Sequence, residues 1–239
     1  MVVELAGRRV DEQLPGRQGR LLFTYLVLNR HRQIQRDEVT EALWPGALPA
    51  ASESGLNALI SKLRKVLGAS VIEGRSNLRL VLDPDAWVDI EVASVAVHRA
   101  ESRIVLDDCP GAWGPSLAAL FIAERDFLPG DDAPWISAQR AQLASIRRRA
   151  LEAYAVAALG TGSTELPAAV RAGRQLVQLD PLRETGYQVL MRALAAQGNA
   201  AEALRVYADL CEVLREELGV SPSAPLQAVY QSLLRGYPG

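Results

Sequence analysis

The spacing of apolar residues predicts three short helices near the start of the chain. A first, buried helix is predicted over residues 17–29, with an apolar stripe formed by Leu21, Leu22, Tyr25, Leu26 and Leu28. A second helix is predicted from Asp37 to Trp44, where Pro45-Gly46 ends it. A third is predicted up to Gly68, with its own stripe of Leu56, Ile60, Leu63 and Leu67.

Two segments that flank these helices have the pattern of β-hairpins. After Gly68 the helical period is lost, and residues 71–82 read as two short strands around a turn at 74–77. The first 14 residues contain two short apolar pieces, and Gly7 between them can supply a turn. The front of the chain is therefore predicted as hairpin, three helices, hairpin, with a boundary at Asp83-Pro84-Asp85.

Beyond that boundary the pattern is helical almost throughout. Residues 166–219 read as helix-turn-helix pairs with many small residues, which allow helices to approach closely: Ala168, Ala169, Ala172, Ala193, Ala196, Ala201, Ala203 and Ala208. This pattern is typical of tetratricopeptide-like helix pairs. We therefore expect a mainly α protein. Residues 1–83 should form a winged helix-turn-helix domain, and residues 84–239 an all-α tetratricopeptide-like domain.

The distribution of charge favours a nucleic-acid contact in the front domain. The formal net charge is −2, but residues 1–80 carry 12 Lys and Arg against 8 Asp and Glu. No run of 18 apolar residues and no signal-peptide pattern occurs, so we expect a cytoplasmic protein that does not contact a membrane.

The sequence does not favour an enzyme. It lacks GxxxxGK[ST], GxGxxG after a strand, HExxH and GxSxG, and its two histidines are isolated. Cys109 and Cys211 lie outside any CxxC or Cys/His cluster, and we expect two reduced thiols. No metal and no cofactor is expected.

The third predicted helix has a cationic, hydroxyl-bearing face. Ser52 or Ser54 is expected to cap it. Opposite its apolar stripe lie Ser54, Ala58, Ser61, Lys62 and Lys65, flanked by Asn57 and Arg64. Small residues, hydroxyl and amide groups, and cations are what a helix needs in a DNA major groove. A solvated face that serves only solubility is the alternative.

The sequence resembles known families in both predicted domains. GRQGRLLFTYLVLNRHRQIQRDEVTEALWPG and ALISKLRKVLG resemble the OmpR/PhoB-type winged helix, and more closely the Streptomyces antibiotic regulatory protein family. DPLRETGYQVLMRALAAQGNAAEALRVYADLCEVLREELGVSPSAPLQAVYQSLL resembles the bacterial transcriptional activator domain. The resemblance covers essentially the whole chain.

The resemblance implies DNA contacts from the third helix and the wing. The matching helix positions are Ala58, Ser61, Lys62, Arg64 and Lys65. Ala58 would meet a thymine methyl or the backbone, Lys62 and Arg64 would contact bases or phosphates, and Lys65 would contact phosphate.

Three further arginines are candidates for contacts outside the major groove. Arg75 at the wing tip would reach the minor groove or its flanking phosphates. Arg17 and Arg20, at the start of the first helix, would contact backbone phosphate, with a solvated helix start as the alternative.

The resemblance also implies a function and partners. A homodimer would bind direct repeats in double-stranded DNA near a promoter, and the helical domain would recruit RNA polymerase holoenzyme. The alternative is a protein-interaction scaffold that uses the helical domain without specific DNA binding. The basic run Arg147–Arg149 has two interpretations, a solvated face or a secondary contact with DNA or polymerase.

Overall fold

In a computed structural model, residues 1–46 and 48–236 are described, and the chain is mainly α. Two parts of the chain lie outside the described residues. They are Ala47, in the predicted loop before the third helix, and the last three residues of the predicted back domain. The chain forms two compact units. The first comprises Met1–Trp87 and Asp126–Ala141, and the second comprises Val88–Arg125 and the chain from Gln142 onward.

The first unit contains the predicted hairpins and helices. Its elements are β1 (Glu4–Leu5), β2 (Arg8–Arg9), a 3-10 turn (Asp11–Gln13), α1 (Gly16–Leu28), β3 (Ile34–Gln35), α2 (Arg36–Leu43), α3 (Ser52–Leu67), β4 (Ile72–Glu73) and β5 (Asn77–Leu80). β1 and β2 form the predicted N-terminal hairpin, with Ala6 and Gly7 at positive φ in its turn.

The second hairpin, formed by β4 and β5 and called the wing below, is part of a three-stranded sheet with the order β3-β5-β4. β4 and β5 pair antiparallel, as predicted, and β5 also pairs with β3, which the sequence pattern does not predict. Ile34 of β3 lies opposite Leu78 of β5, and both side chains are fully buried. A strand of two residues has no alternation to detect, so its existence depends on the partner strand.

A segment from far along the chain completes the core of the first unit. Ile136 is fully buried in the same cluster as Leu22, Leu26 and Leu63. The ring of Trp135 meets that of Tyr25 edge-on at 5.3 Å. The sequence pattern assigns this segment to the helical domain, and the division at residue 83 remains a prediction.

Arg140 holds the loop that leads into this segment. Its guanidinium donates to the backbone carbonyls of Phe127 (3.0 Å), Leu128 (2.6 Å) and Asp131 (2.8 Å). One planar donor group thus satisfies three loop carbonyls, and the loop keeps a defined shape.

The second unit is built from helices. They are α4 (Asp89–Val105), α5 (Cys109–Ala123), α6 (Pro134–Thr161, whose first residues belong to the first unit), α7 (Leu166–Leu179), α8 (Glu184–Ala196), α9 (Ala200–Leu218) and α10 (Ala224–Leu234). The predicted close approach occurs between α7 and α8. A Cβ atom added at Gly173 would lie 3.0 Å from the Cα of Leu190, and one at Gly186 would lie 3.1 Å from the backbone nitrogen of Val177. None of the helices in the described parts of the chain is long and apolar enough to cross a membrane.

Candidate nucleic-acid interface

α3 is amphipathic in the way that its spacing predicts. Leu56, Ile60, Leu63 and Leu67 are buried, and Gly68 ends the helix at positive φ. The predicted serine cap is wrong, because the helix begins at Ser52 and its N-cap, Ala51, has no side-chain acceptor. The Ser54 hydroxyl instead donates to the Ala51 carbonyl at 2.9 Å, within the helix.

The outward face of α3 presents most of the predicted contact residues to solvent. Exposed side chains are Ser54, Asn57, Ala58, Ser61, Lys62 and Lys65. Lys62 and Lys65 are the only lysines in the chain. Among the described residues, neither has a hydrogen-bond or ion-pair partner. Both charges are therefore available to an anionic ligand.

Arg64 differs from its neighbours because it is half-buried and bound to the wing. Its Nε and one terminal nitrogen donate to the Ile72 carbonyl at 3.0 and 2.7 Å, and that terminal nitrogen lies 3.3 Å from the Gly74 carbonyl. These bonds tie the last turns of α3 to β4. The predicted contact of Arg64 with DNA stays a prediction. The structure adds a second role for Arg64, which is to hold the wing against α3.

Arg36 is a second link between α3 and the wing, and sequence reasoning missed it. One terminal nitrogen donates to Glu53 (3.0 Å) and to the Asn57 side-chain oxygen (2.8 Å), and the other donates to the Arg75 carbonyl (3.1 Å). Its side chain is only 17% exposed. In the sequence pattern, Arg36 is only an isolated charge just before the predicted second helix. The pairing of β3 with β5, which that pattern does not predict, places Arg36 beside α3.

The wing tip needs glycine at its first position. Gly74 has φ +89°, and an added Cβ would lie 1.8 Å from the Asn77 carbonyl oxygen. Arg75 and Ser76 follow and are exposed. α3 and the wing enclose an open groove of about 770 Å³, whose polar lining includes Arg36, Asn57, Ser61, Arg64, Lys65 and Arg75.

The two arginines at the start of α1 differ in their environment. Arg17 forms an ion pair with Asp131, a nearly buried carboxylate of the segment that completes the core. Arg20 is exposed and has no partner among the described residues. Both phosphate contacts stay predictions. The charge of Arg17 already has a counter-ion within its own unit, whereas that of Arg20 does not.

A charged cluster joins the end of α1 to α2. The Tyr25 hydroxyl donates to Glu38 at 2.6 Å, and Arg32 also donates to Glu38 at 2.9 Å. The hydrogen bond from Arg32 lowers the pKa of Glu38 to about 2, and burial raises the pKa of Tyr25 to about 12. The carboxylate thus stays charged at neutral pH and orients α2 against α1.

The basic run in α6 is mostly neutralised within the second unit. Arg149 donates to Glu101 at 2.6 Å, and Arg147 lies 3.9 Å from Glu124. Arg148 is half-buried, and its Nε has no partner among the described residues. These contacts favour a structural interpretation of this run over a nucleic-acid contact. In the described part of the chain, no group of three His, Cys, Asp or Glu residues could hold a metal ion.

Comparison with known proteins identifies the family. Residues 88–234 match the family model described as "Bacterial transcriptional activator domain". The chain belongs to this family. Regulatory protein AfsR from Streptomyces griseus is 32% identical over 229 residues, which cover 91% of the chain and 22% of AfsR. AfsR from Streptomyces coelicolor is also 32% identical, over 92% of the chain. The resemblance to the Streptomyces antibiotic regulatory protein family is thereby confirmed.

The chain spans about a fifth of the length of the AfsR relatives that it matches. Transcriptional regulatory protein MoaR1 from Mycobacterium bovis is 25% identical and is covered over 72% of its length. A structure of Mycobacterium tuberculosis EmbR in complex with low affinity phosphopeptide has a TM-score of 0.80, at 23% identity, over 99% of the chain and 63% of EmbR. This likeness confirms the predicted fold class.

Proposed function

We propose that this protein is a sequence-specific DNA-binding transcriptional activator whose first unit reads double-stranded DNA through α3 and the wing. The observation that carries the proposal is the unpaired cationic face of α3, which holds Lys62 and Lys65. Family membership supports a role in transcription, and the names of the relatives agree with it.

The shape and charge of this surface suit a DNA major groove. α3 presents small and hydroxyl side chains, Ala58 and Ser61, between its cations, so that the helix can approach base edges closely. Arg75 on the wing tip extends the cationic surface to one side. The single acidic residue of α3, Glu53, is paired with Arg36, which reduces its repulsion of phosphate.

The finer parts of the proposal come from the family. A homodimer would bind direct repeats about one helical turn apart, roughly 10–11 bp. The helical unit would then recruit RNA polymerase holoenzyme to the promoter. Because its target is bacterial promoter DNA, the protein would act in the cytoplasm.

Lysine chemistry offers a direct test, since an amine-specific reagent can modify only Lys62, Lys65 and the N-terminal amine of Met1. DNA fragments selected from a genome by the purified protein would serve as ligand. The bound complex would be treated with acetyl N-hydroxysuccinimide ester and analysed by mass spectrometry. We expect DNA to protect both lysines while Met1, which is exposed, reacts as an internal control.

Two results would contradict the proposal. If no DNA fragment is enriched and binding is equally weak at all salt concentrations, the first unit does not read DNA. If DNA is bound while both lysines react at the rate of the free protein, α3 is not the interface. Either result would direct attention to the scaffold function of the helical unit.

A further inference from the structure

The contact between Arg36 and Asn57 bears on which bases α3 can read. The inference drawn from it rests on the proposed DNA-binding function and concerns specificity within that interface. Asn57 is exposed on α3 and lines the groove beside the wing. Its side-chain oxygen accepts from Arg36 at 2.8 Å. Arg36 is largely shielded from solvent and is also bound to Glu53 and to the wing.

The chemistry of arginine settles the orientation of the amide. A guanidinium carries five N–H donors and no acceptor, so only the oxygen of the Asn57 amide can face Arg36. The amide nitrogen therefore lies on the other branch of the side chain, and it has no partner among the described residues. Two N–H donors remain for a ligand in the groove.

This orientation selects among base edges. Asparagine recognises adenine by using both amide atoms, with the oxygen accepting from N6 and the nitrogen donating to N7. With its oxygen already accepting from Arg36, Asn57 presents its two N–H donors to the groove, and pairing with adenine would need the same oxygen to accept from N6 as well. In the major groove guanine presents two neighbouring acceptors, O6 and N7, whereas cytosine presents a donor.

We propose that Arg36 is a positioning residue that fixes the amide of Asn57, and that Asn57 thereby specifies guanine rather than adenine in the DNA site. Arg36 contributes to specificity through Asn57, because three of its hydrogen bonds go to Glu53, Asn57 and the wing carbonyl of Arg75.

Three variants of the full chain test this inference by selection from a random DNA library and by affinity measurements on the selected site. Asn57→Asp keeps an acceptor for Arg36 but replaces the donors with a carboxylate oxygen, which favours the N4 donor of cytosine. At one position of the site, we expect the preference to change from guanine to cytosine. Affinity for the original site should fall about tenfold, as expected for one lost base contact.

Arg36→Met removes the donors and keeps an unbranched side chain. Freed from Arg36, the amide can turn and pair with adenine, so the preference for guanine over adenine at that same position should fall about tenfold. Glu53 also loses its counter-ion in this variant, so overall affinity should fall, and the readout is therefore the ratio of the affinities for guanine and adenine. Arg8→Met, which removes an exposed cation from the N-terminal hairpin, is the matched control and should keep the base preference.

The outcomes separate the two proposals. If wild-type protein selects no motif, the proposed function fails and this inference fails with it. If wild-type protein selects a motif but Arg36→Met and Asn57→Asp both keep its base preferences, only the inference about Arg36 and Asn57 is overturned. Circular dichroism checks that each variant is folded. If Arg36→Met does not fold, the base preference of Asn57→Asp alone tests the inference.

Discussion

Trp135 donates its indole N–H to the backbone carbonyl of Ala42 at 3.0 Å, although the two residues lie 93 positions apart in the chain. The bond joins the first turn of α6 to the end of α2, inside the first compact unit. The unit that carries the candidate DNA interface is therefore not made of the front of the chain alone. Its core includes a segment that follows α5.

The first prediction concerns this segment. Ile136 is fully buried, so Ile136→Ala should lower the free energy of unfolding by about 3 kcal/mol through lost apolar contact and a cavity. Denaturant unfolding of the full chain would measure the change. The exposed neighbour Ser137→Ala is the control and should stay within about 0.5 kcal/mol. Equal stability of the two variants would show that the segment does not support the core.

The second prediction concerns the link between Arg64 and the wing. Arg64→Met removes the donors to the carbonyls of Ile72 and Gly74, so β4 and β5 should open more often. Hydrogen exchange of backbone amides in β4 and β5 should become faster, while that of α1 stays unchanged. Lys65→Met, on the next position of the helix, is the control because Lys65 has no partner in the described structure. If both variants exchange alike, Arg64 does not hold the wing.

The third prediction concerns salt. If Lys62 contacts one phosphate, Lys62→Ala should reduce the slope of log affinity against log salt by about 1. Titrations at several salt concentrations measure this slope. Arg171→Ala removes an equal charge from the exposed surface of α7 and should leave the slope as it is in the wild type. An unchanged slope for Lys62→Ala would exclude that phosphate contact.

The fourth prediction concerns acid. Arg32 and Tyr25 hold the pKa of Glu38 at about 2 in the folded protein, below its ordinary value of 4.5. A depressed pKa of this kind stabilises the fold fully above the ordinary value, and the contribution is lost as the pH falls towards about 2. Glu38→Gln should therefore weaken the dependence of stability on pH below about 4.5. Thermal unfolding of both proteins between neutral pH and about pH 3 tests this, and parallel curves would contradict it.

The fifth prediction concerns packing between α7 and α8. A Cβ at Gly173 would lie 2.9 Å from the Cβ of Leu190, so Gly173→Ala should destabilise the second unit by about 1–3 kcal/mol. Gly114→Ala in α5 meets no atom within 4 Å and should be neutral or stabilising by up to about 1 kcal/mol. Unfolding free energies compare the pair, and equal effects would show that α7 and α8 can separate without loss.

Local periodicity was enough to predict the helices and the face of α3. One helix face is formed by the apolar residues Leu56, Ile60, Leu63 and Leu67, which repeat at helical spacing. When that face is buried, Lys62 and Lys65 on the opposite face remain exposed to solvent. The glycine at the wing tip and the hairpin around it also followed from local backbone preferences.

Contacts between distant residues depended on the path of the chain, and no local pattern contains that path. β3 has two residues and exists because β5 pairs with it. Arg36 becomes a link between α3 and the wing only through that pairing, and Arg17 gains a counter-ion only when the segment with Asp131 joins the first unit. Residue type determined which side chains could bind an anion or face the core. The tertiary structure decided which of them remain available and how Asn57 is oriented, because hydrogen bonds depend on distance and direction in space.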